Sequence, residues 1–532
     1  MKHFINRELS WLDFNRRVLG EAADPAVPLL ERANFLSITA SNADEFCMVR
    51  LGKLLNRVKN KDESADPAGL NAREQVAAIR ARLVAFERAQ GELYENDLLP
   101  ALSRAGFELV KPDKLSRDQK VWLRQYFEKQ ILPILTPRVP DPAFPFPHLQ
   151  GKALNIACPI TNRKTGKRVL CVVSLPPALP RVVDLPTDNH EHRGVLLEDV
   201  LLDNIARMFP GASKAAAAVF RLTRNTDYVL NLGSTDYILE AMEKILKRRP
   251  YGKVVRLEIQ RGAHEETVKL LTRRLSAPPE AVIAGLPALD FTFLSKALKP
   301  FDAAPGLRYP PFEARVAERL QQRESIFRTI RGGDLVFHHP YDSYGPIVRF
   351  INEAADDPKV LAIKQTLYRV SGNSPFVAAL VRAAQQGKQV TVLVEVRARF
   401  DEANNIAWSH ALEKAGVHVL YGFPKWKTHS KIALVVRREG SGIRRYLHLG
   451  TGNYNDATAR GYTDLSLLTC NEVFAQDASA FFNLLAGYPE SLPSEKLVAS
   501  PFSLRAMLEE KIDREAANAA AGLPARIVAK MR

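Results

Sequence analysis

Val76, Ile79, Leu83, Phe86 and Leu93 recur at spacings of 3, 4, 3 and 7, the signature of one apolar helix face. Arg73, Glu74, Arg80, Arg82, Glu87 and Arg88 fill the other faces. Ser10, Trp11, Leu12, Phe14, Val18 and Leu19 predict an earlier helix, and the polar stretch 60–68, with Pro67, a helix–helix loop. Residues 1–104 therefore read as an N-terminal helical domain.

The pattern changes near residue 105. Pro133, Pro137, Pro140, Pro142, Pro145 and Pro147 fall within fifteen residues, which forbids a regular helix and favours extended chain. Two β-rich runs follow, 153–159 and 168–175, separated by a hairpin-like Thr161-Asn162-Arg163-Lys164-Thr165-Gly166-Lys167. This predicts a middle α+β domain over 105–312. From 313 onward, strand patterns at 335–338, 360–370, 390–396, 417–421, 432–437 and 445–449 alternate with helical ones at 376–386 and 404–415. Such alternation predicts an α/β domain with a parallel or mixed sheet over 313–497. A helix over 504–520, stopped by Gly522 and Pro524, leads into an apparent strand at 525–530, so 498–532 reads as the start of a further unit.

Composition narrows the class. Of 532 residues, 46% are hydrophobic and 25% charged, which excludes a disordered chain, a collagen and a small disulfide scaffold. No run approaches the length of a transmembrane helix, and the first residues lack the apolar stretch of a signal peptide. Cys47, Cys158, Cys171 and Cys470 form no CxxC pair, so thiols in a reducing cytoplasm are expected. The net charge of +16 points to a polyanionic partner, either nucleic acid, an anionic membrane surface or a phosphate polymer. A solvated basic surface with no specific partner explains it equally well.

The chemistry concentrates in Lys425-Trp426-Lys427-Thr428-His429-Ser430-Lys431. On a strand, His429 and Lys431 project to one side, with Lys427 extending the row. An imidazole beside an ammonium suits phosphorus chemistry, because a neutral nitrogen attacks phosphorus while the cation stabilises the non-bridging oxygens. A basic strand entrance with a hydrogen-bonded histidine is the plainer reading of an isolated H-x-K. A later strand ends in His448-Leu449-Gly450-Thr451-Gly452-Asn453-Tyr454-Asn455, whose glycines allow close backbone approach to a phosphate. His448 reads as a partner orienting His429 or this loop. Arg369 and Arg399 end or follow strands, where ligands of open α/β sheets bind, and guanidinium forks match phosphate oxygens. Asp401 and Glu402 are ready partners that would instead make them surface ion pairs.

H-x-K followed by G-T-G-N resembles half of a phospholipase-D-type HKD site, and the whole chain resembles bacterial polyphosphate kinases of the type-1 family. The resemblance runs through Glu8-Leu9-Ser10-Trp11-Leu12, the stretch 35–46, Ile134-Leu135-Thr136-Pro137, the stretches 361–370 and 398–406, Lys427-Thr428-His429-Ser430-Lys431, the stretch 450–455 and the stretch 458–464. It implies a multidomain α/β and α+β fold: the helical domain, the middle domain as a head, and a phospholipase-D-like α/β domain with a mixed sheet. It implies reversible transfer of the terminal phosphate of ATP to inorganic polyphosphate through a phosphohistidine, with magnesium. By resemblance His429 is the phosphorylated residue, with Lys431 beside it. Asn42 and Tyr462 contact ATP, and Arg369 and Arg399 belong to the magnesium site. Arginine has no free lone pair, so the two arginines are expected to hold phosphates that hold the metal. His448 and Asn453 are expected to support the site.

Family members continue into a second α/β half with another such histidine. This sequence stops at Lys530-Met531-Arg532, inside what would be that half's first strand, so a C-terminally shortened chain with poor turnover is expected. A cytoplasmic homo-oligomer is expected, without a transmembrane segment or a specific nucleic-acid partner. The competing functions are an HKD-type phosphodiesterase and a non-catalytic polyanion-binding fragment.

Overall fold

The computed structural model describes residues 4–140, 146–161, 166–186, 192–228, 238–302, 304–321, 324–423, 426–487 and 495–529. Pro142, Pro145, Lys425, most of the expected 161–167 loop and Lys530, Met531 and Arg532 lie outside the described residues. The chain divides into two compact units, Met1–Val229 with Lys247–Pro311, and Leu230–Leu246 with Phe312–Arg532.

The first unit opens with the helices Arg7–Ala23, Leu29–Phe46 and Ala72–Leu93. Asn6 caps the first by accepting the N–H groups of Glu8 and Leu9, and Asn71 with Glu74 forms a capping box on the third. Leu30, Ala33, Leu36, Ala40 and Ala43 line one face of Leu29–Phe46 and pack with Leu19, Phe86 and Leu98. The β-rich runs form the expected antiparallel pair, Leu154–Thr161 against Arg168–Ser174, in a five-stranded sheet. The proline-rich segment begins as a short turn at Leu132–Ile134 and becomes extended chain, where Arg138 bridges Val172. Helices and sheet share one unit through a buried charge network. Asp44 and Glu87, from two helices, meet Arg221, Arg256 and Glu258 on neighbouring strands.

The second unit carries a seven-stranded mixed sheet. Its strands are β1 (Leu335–His339), β2 (Val360–Leu367), β3 (Gln389–Val394), β4 (His418–Leu420), β5 (Lys431–Glu439), β6 (Gly442–Gly450) and β7 (Asp464–Thr469). Their spatial order is β4-β3-β2-β5-β6-β7-β1. The strands β2, β3 and β4 run parallel, and every pairing from β2 across to β1 is antiparallel. It follows that the C-terminal ends of β1, β2, β3, β4 and β6 and the N-terminal ends of β5 and β7 share one rim. Both faces of the sheet are covered. Ala433 and Val435 enter the core with Phe350, Leu380 and Tyr446, while Ile432 and Leu434 pack with Ala478 and Phe482. Coverage on both sides explains why β5 begins as an unbroken apolar run rather than an alternating one.

Among the described elements of this unit, β7 and the helices Ile238–Arg248, Glu318–Gln321, Ile326–Arg331, Gly345–Asp356 and Glu472–Leu485 escape the sequence patterns. In β7, Leu465 is exposed beside buried Ser466, so side-chain polarity is reversed relative to the sheet faces. The helix Leu504–Ala520 forms as expected and ends before Gly522 at positive φ. The strand expected at 525–530 is not present over 525–529. Within it the Arg526 N–H donates to the Glu515 side chain rather than to a strand partner.

Candidate active site

The rim gathers the candidate site residues of the second unit. Tyr368 and Arg369 follow β2, and Glu395 through Arg399 follow β3. His429 and Lys431 stand at the entrance of β5. The Gly450–Asn455 loop leaves β6, and Tyr462 leads into Asp464 at the start of β7.

Lys431 is the first residue of β5, so His429 lies in the preceding loop and not on a strand face. The expected juxtaposition nevertheless exists by another route: the Lys431 side chain turns back until Nζ is 3.0 Å from His429 Nδ1. Lys431 also donates to the His429 carbonyl. The Tyr368 ring packs edge-on against His429, with centroids 4.8 Å apart, and Lys431 Nζ lies 5.1 Å from the same ring's centroid. Lys427 does not extend the row. Its Nζ donates to the Arg397 carbonyl at 2.7 Å, because the loop carries it towards the end of β3.

The electrostatics follow from burial. Lys431 is 6% exposed, and desolvation brings its ammonium down to about 8, with Asp464 opposing the shift and Arg369 adding to it. His429 is held below the ordinary imidazole range by partial burial, then by the charges of Lys431 and Arg369. It is therefore neutral near pH 7, the state a nucleophile needs.

Of the two roles expected of His448, orienting His429 or the glycine loop, its contacts are with the loop. His448 is fully buried in β6, and its Nδ1 contacts the Tyr454 hydroxyl at 2.7 Å, which ties it to the glycine loop. Burial pushes it down to about 3, so it stays neutral and is not an acid at working pH. Asn453 holds the same loop through its carbonyl, which accepts the Tyr344 hydroxyl at 3.3 Å. Gly452 is required by crowding: a Cβ there would lie 2.6 Å from Asp464 Oδ2.

Arg369 is half exposed, pairs with Asp401 at 3.2 Å and donates to the Arg399 carbonyl at 3.3 Å. Arg399 is exposed beside it. Phe400, between Arg399 and Asp401, has φ of 70°, a left-handed conformation that turns the loop sharply. A cavity of about 1010 Å³ opens on the same rim between Tyr341, Tyr344, Asn352, Asp456 and Arg460. No group of three His, Cys, Asp or Glu side chains able to hold a metal exists among the described residues. The arginines have no free lone pair for a metal and match phosphate oxygens instead.

Tyr462 is 63% exposed on the approach to β7. Asn42 belongs to the first unit, on the helix Leu29–Phe46, where its side-chain amide donates to Asn15 Oδ1 at 3.0 Å. Tyr368 and Glu395 join the site through contacts that no sequence pattern singles out. A carboxylate closing an apolar strand pattern was the available signal for Glu395.

Three family profiles match the chain in order. They are described as the polyphosphate kinase N-terminal domain over residues 4–110, the middle domain over 118–297 and C-terminal domain 1 over 325–491. A polyphosphate kinase of Thermosynechococcus vestitus is 41% identical over the whole of this chain and 76% of its own length. One from an Exiguobacterium species is 44% identical, over the whole of this chain and 74% of its own length. The crystal structure of polyphosphate kinase from Porphyromonas gingivalis superimposes with a TM-score of 0.82 at 28% identity, covering 98% of this chain and 75% of that one. With the order of domains, the fold and the full-length identity in agreement, the chain belongs to the polyphosphate kinase family.

Proposed function

We propose that this member of the family transfers the terminal phosphate of ATP reversibly to inorganic polyphosphate, with His429 as the covalent carrier. The observation that carries this reading is the Lys431–His429 contact on a rim flanked by Arg369 and Arg399. The Lys431 ammonium now faces His429 Nδ1, leaving Nε2 as the ring nitrogen directed away from it. An incoming phosphate offers that ammonium stronger acceptors. Once Lys431 turns to the non-bridging oxygens, Nδ1 takes the ring proton and Nε2 presents its lone pair. Nε2 then forms a bond to the terminal phosphorus, and the bond from phosphorus to the ADP oxygen breaks, its electron pair leaving with ADP. In the second half-reaction, a terminal oxygen of polyphosphate attacks that phosphorus and the N–P bond breaks. Catalysis rests on position and charge neutralisation, supplied here by Lys431, Arg369 and Arg399. Arg369 and Arg399 would hold the phosphates to which magnesium is bound, and the metal would supply further neutralisation of phosphate charge.

We further propose Asn42 and Tyr462 as contacts for ATP, Asn453 and His448 as supports of the glycine loop, and domains over 1–104, 105–312 and 313–497, with 498–532 opening a further one. The match of the family profiles to similar intervals supports the first three of these. The excess of positive charge suits a polyphosphate chain. The test is incubation with ATP labelled at the γ-phosphorus, followed by acid treatment. A phosphoramidate on histidine is acid-labile, so the label should be lost in acid and absent from His429→Ala. Label that survives acid, or that persists in His429→Ala, removes the proposed carrier.

A further inference from the structure

The loop that delivers His429 has no ladder of its own: the described residues between β4 and β5 form no strand. What fixes it is a carboxylate beneath. Glu395 follows β3 and is fully buried, a costly place for an ionised group unless its oxygens are satisfied. They are. Oε1 accepts the Arg397 backbone N–H at 3.0 Å and Nε at 3.1 Å, and Oε2 accepts the Thr428 backbone N–H at 2.8 Å. Thr428 immediately precedes His429.

The lacing continues around this bond. Arg397 donates to the carbonyl of Phe423 at 2.7 Å and to that of Trp426, so one guanidinium grips both flanks of the loop. Asn405 anchors the Glu395 carbonyl at 3.0 Å. At Gly422 the chain takes φ of 71°, and a Cβ there would lie 3.3 Å from Thr428 Oγ1 and 3.7 Å from Glu395 Oε2. A glycine thus lets the loop fold back over the carboxylate.

We propose that Glu395 is a positioning residue for phosphoryl transfer: through the Thr428 N–H it sets where His429 stands relative to Lys431 and Tyr368. The proposal rests on His429 as the carrier for its catalytic consequence, but not for its geometry. A charged acceptor of two backbone N–H groups is hard to replace. Glutamine has the same length, yet it turns one acceptor oxygen into an NH2 facing another donor.

Glu395→Gln should lower kcat by ~10–100-fold, the scale of an ångström-level misplacement, with KM for ATP changed less than ~3-fold. The discriminating readout is the NMR titration of His429, assigned by its loss in His429→Gln. In the unmodified protein partial burial, Lys431 and Arg369 keep the imidazole below its usual range. In Glu395→Gln the titration should move up towards that range as the ring leaves Lys431. A His429 titration that stays in place overturns the proposal, whatever happens to kcat. Should the variant fail to fold, hydrogen exchange of the Thr428 amide in the unmodified protein decides. Protection of ~100-fold or more over a free loop amide supports the tether, and exchange at the free rate overturns it. Neither measurement needs phosphoryl transfer, so both stand apart from the labelling test of His429.

Discussion

Two clusters of opposite charges sit in this molecule and do different work. In the first unit, Arg221 and Arg256 meet Asp44, Glu87 and Glu258, all buried to a few per cent exposure. On the rim of the second unit, Lys427, Lys431, Arg369, Arg397 and Arg399 outnumber Glu395, Asp401, Glu402 and Asp464, and His429 with the two flanking arginines reaches solvent. The first cluster is closed: each guanidinium has carboxylates in direct contact, and the network fastens helices to a sheet. The second is open, because its cations outnumber its carboxylates and stand, partly exposed, at strand ends where a phosphate can enter. Composition alone does not separate a structural charge network from a binding one; balance and burial do.

The comparison breaks most visibly at His429. His429→Ala should reduce turnover by about 10⁴-fold or more while shifting folding stability by less than about 0.5 kcal/mol, since the residue is exposed. Urea unfolding alongside the rate assay checks both halves. The reverse outcome is expected at Asp44. Asp44→Ala leaves Arg221 and Arg256 short of a partner in the interior, and should destabilise the fold by about 3–5 kcal/mol, read from the unfolding midpoint.

Next in size come the clamp arginines. Arg369→Lys and Arg399→Lys keep the charge but lose the planar fork, and each should slow turnover by ~10–1,000-fold, or roughly 1.4–4 kcal/mol of transition-state stabilisation. Near-normal rates in both variants would make them surface ion-pair residues, as the Asp401 contact alone would suggest.

The pH dependence sharpens the contrast further. Lys431 titrates at about 8 because it is buried. It is cationic below that value, so a rate that needs its charge should fall as pH rises through about 8. Lys431→Arg should lose that alkaline limb, since a guanidinium stays charged. An unchanged limb would assign it to another group. The smallest effect belongs to the closed cluster. Burial raises Glu87 from 4.5 to about 7, and its Oε2 lacks a partner in the described structure. Its folded-state value lies above its unfolded one, so its contribution is fully present below about 4.5 and is lost as pH rises through about 7. Glu87→Gln should flatten this part of the stability–pH curve, measured by denaturation at several pH values.

Much of the architecture was written into local pattern. The 3.6-residue stripe of Val76 to Leu93 became the helix Ala72–Leu93, and the apolar run after Lys431 became a strand covered on both faces. The candidate nucleophile was legible too, because an imidazole two residues from an ammonium, followed by alternating glycines, is a short-range signal. What tertiary structure alone decided is how those groups meet. His429 and Lys431 are joined by a side chain folding back from the first residue of β5 rather than by a shared strand face. His448 went to the interior with Tyr454. Glu395, separated from Thr428 by 33 residues, holds the loop. Periodicity reports which face of an element seeks the core, a property of neighbours a few residues apart. Pairings such as Glu395 with Thr428, or Asp44 with Arg256, depend on which strand ends the fold brings to one rim or one interior, and no local pattern encodes that.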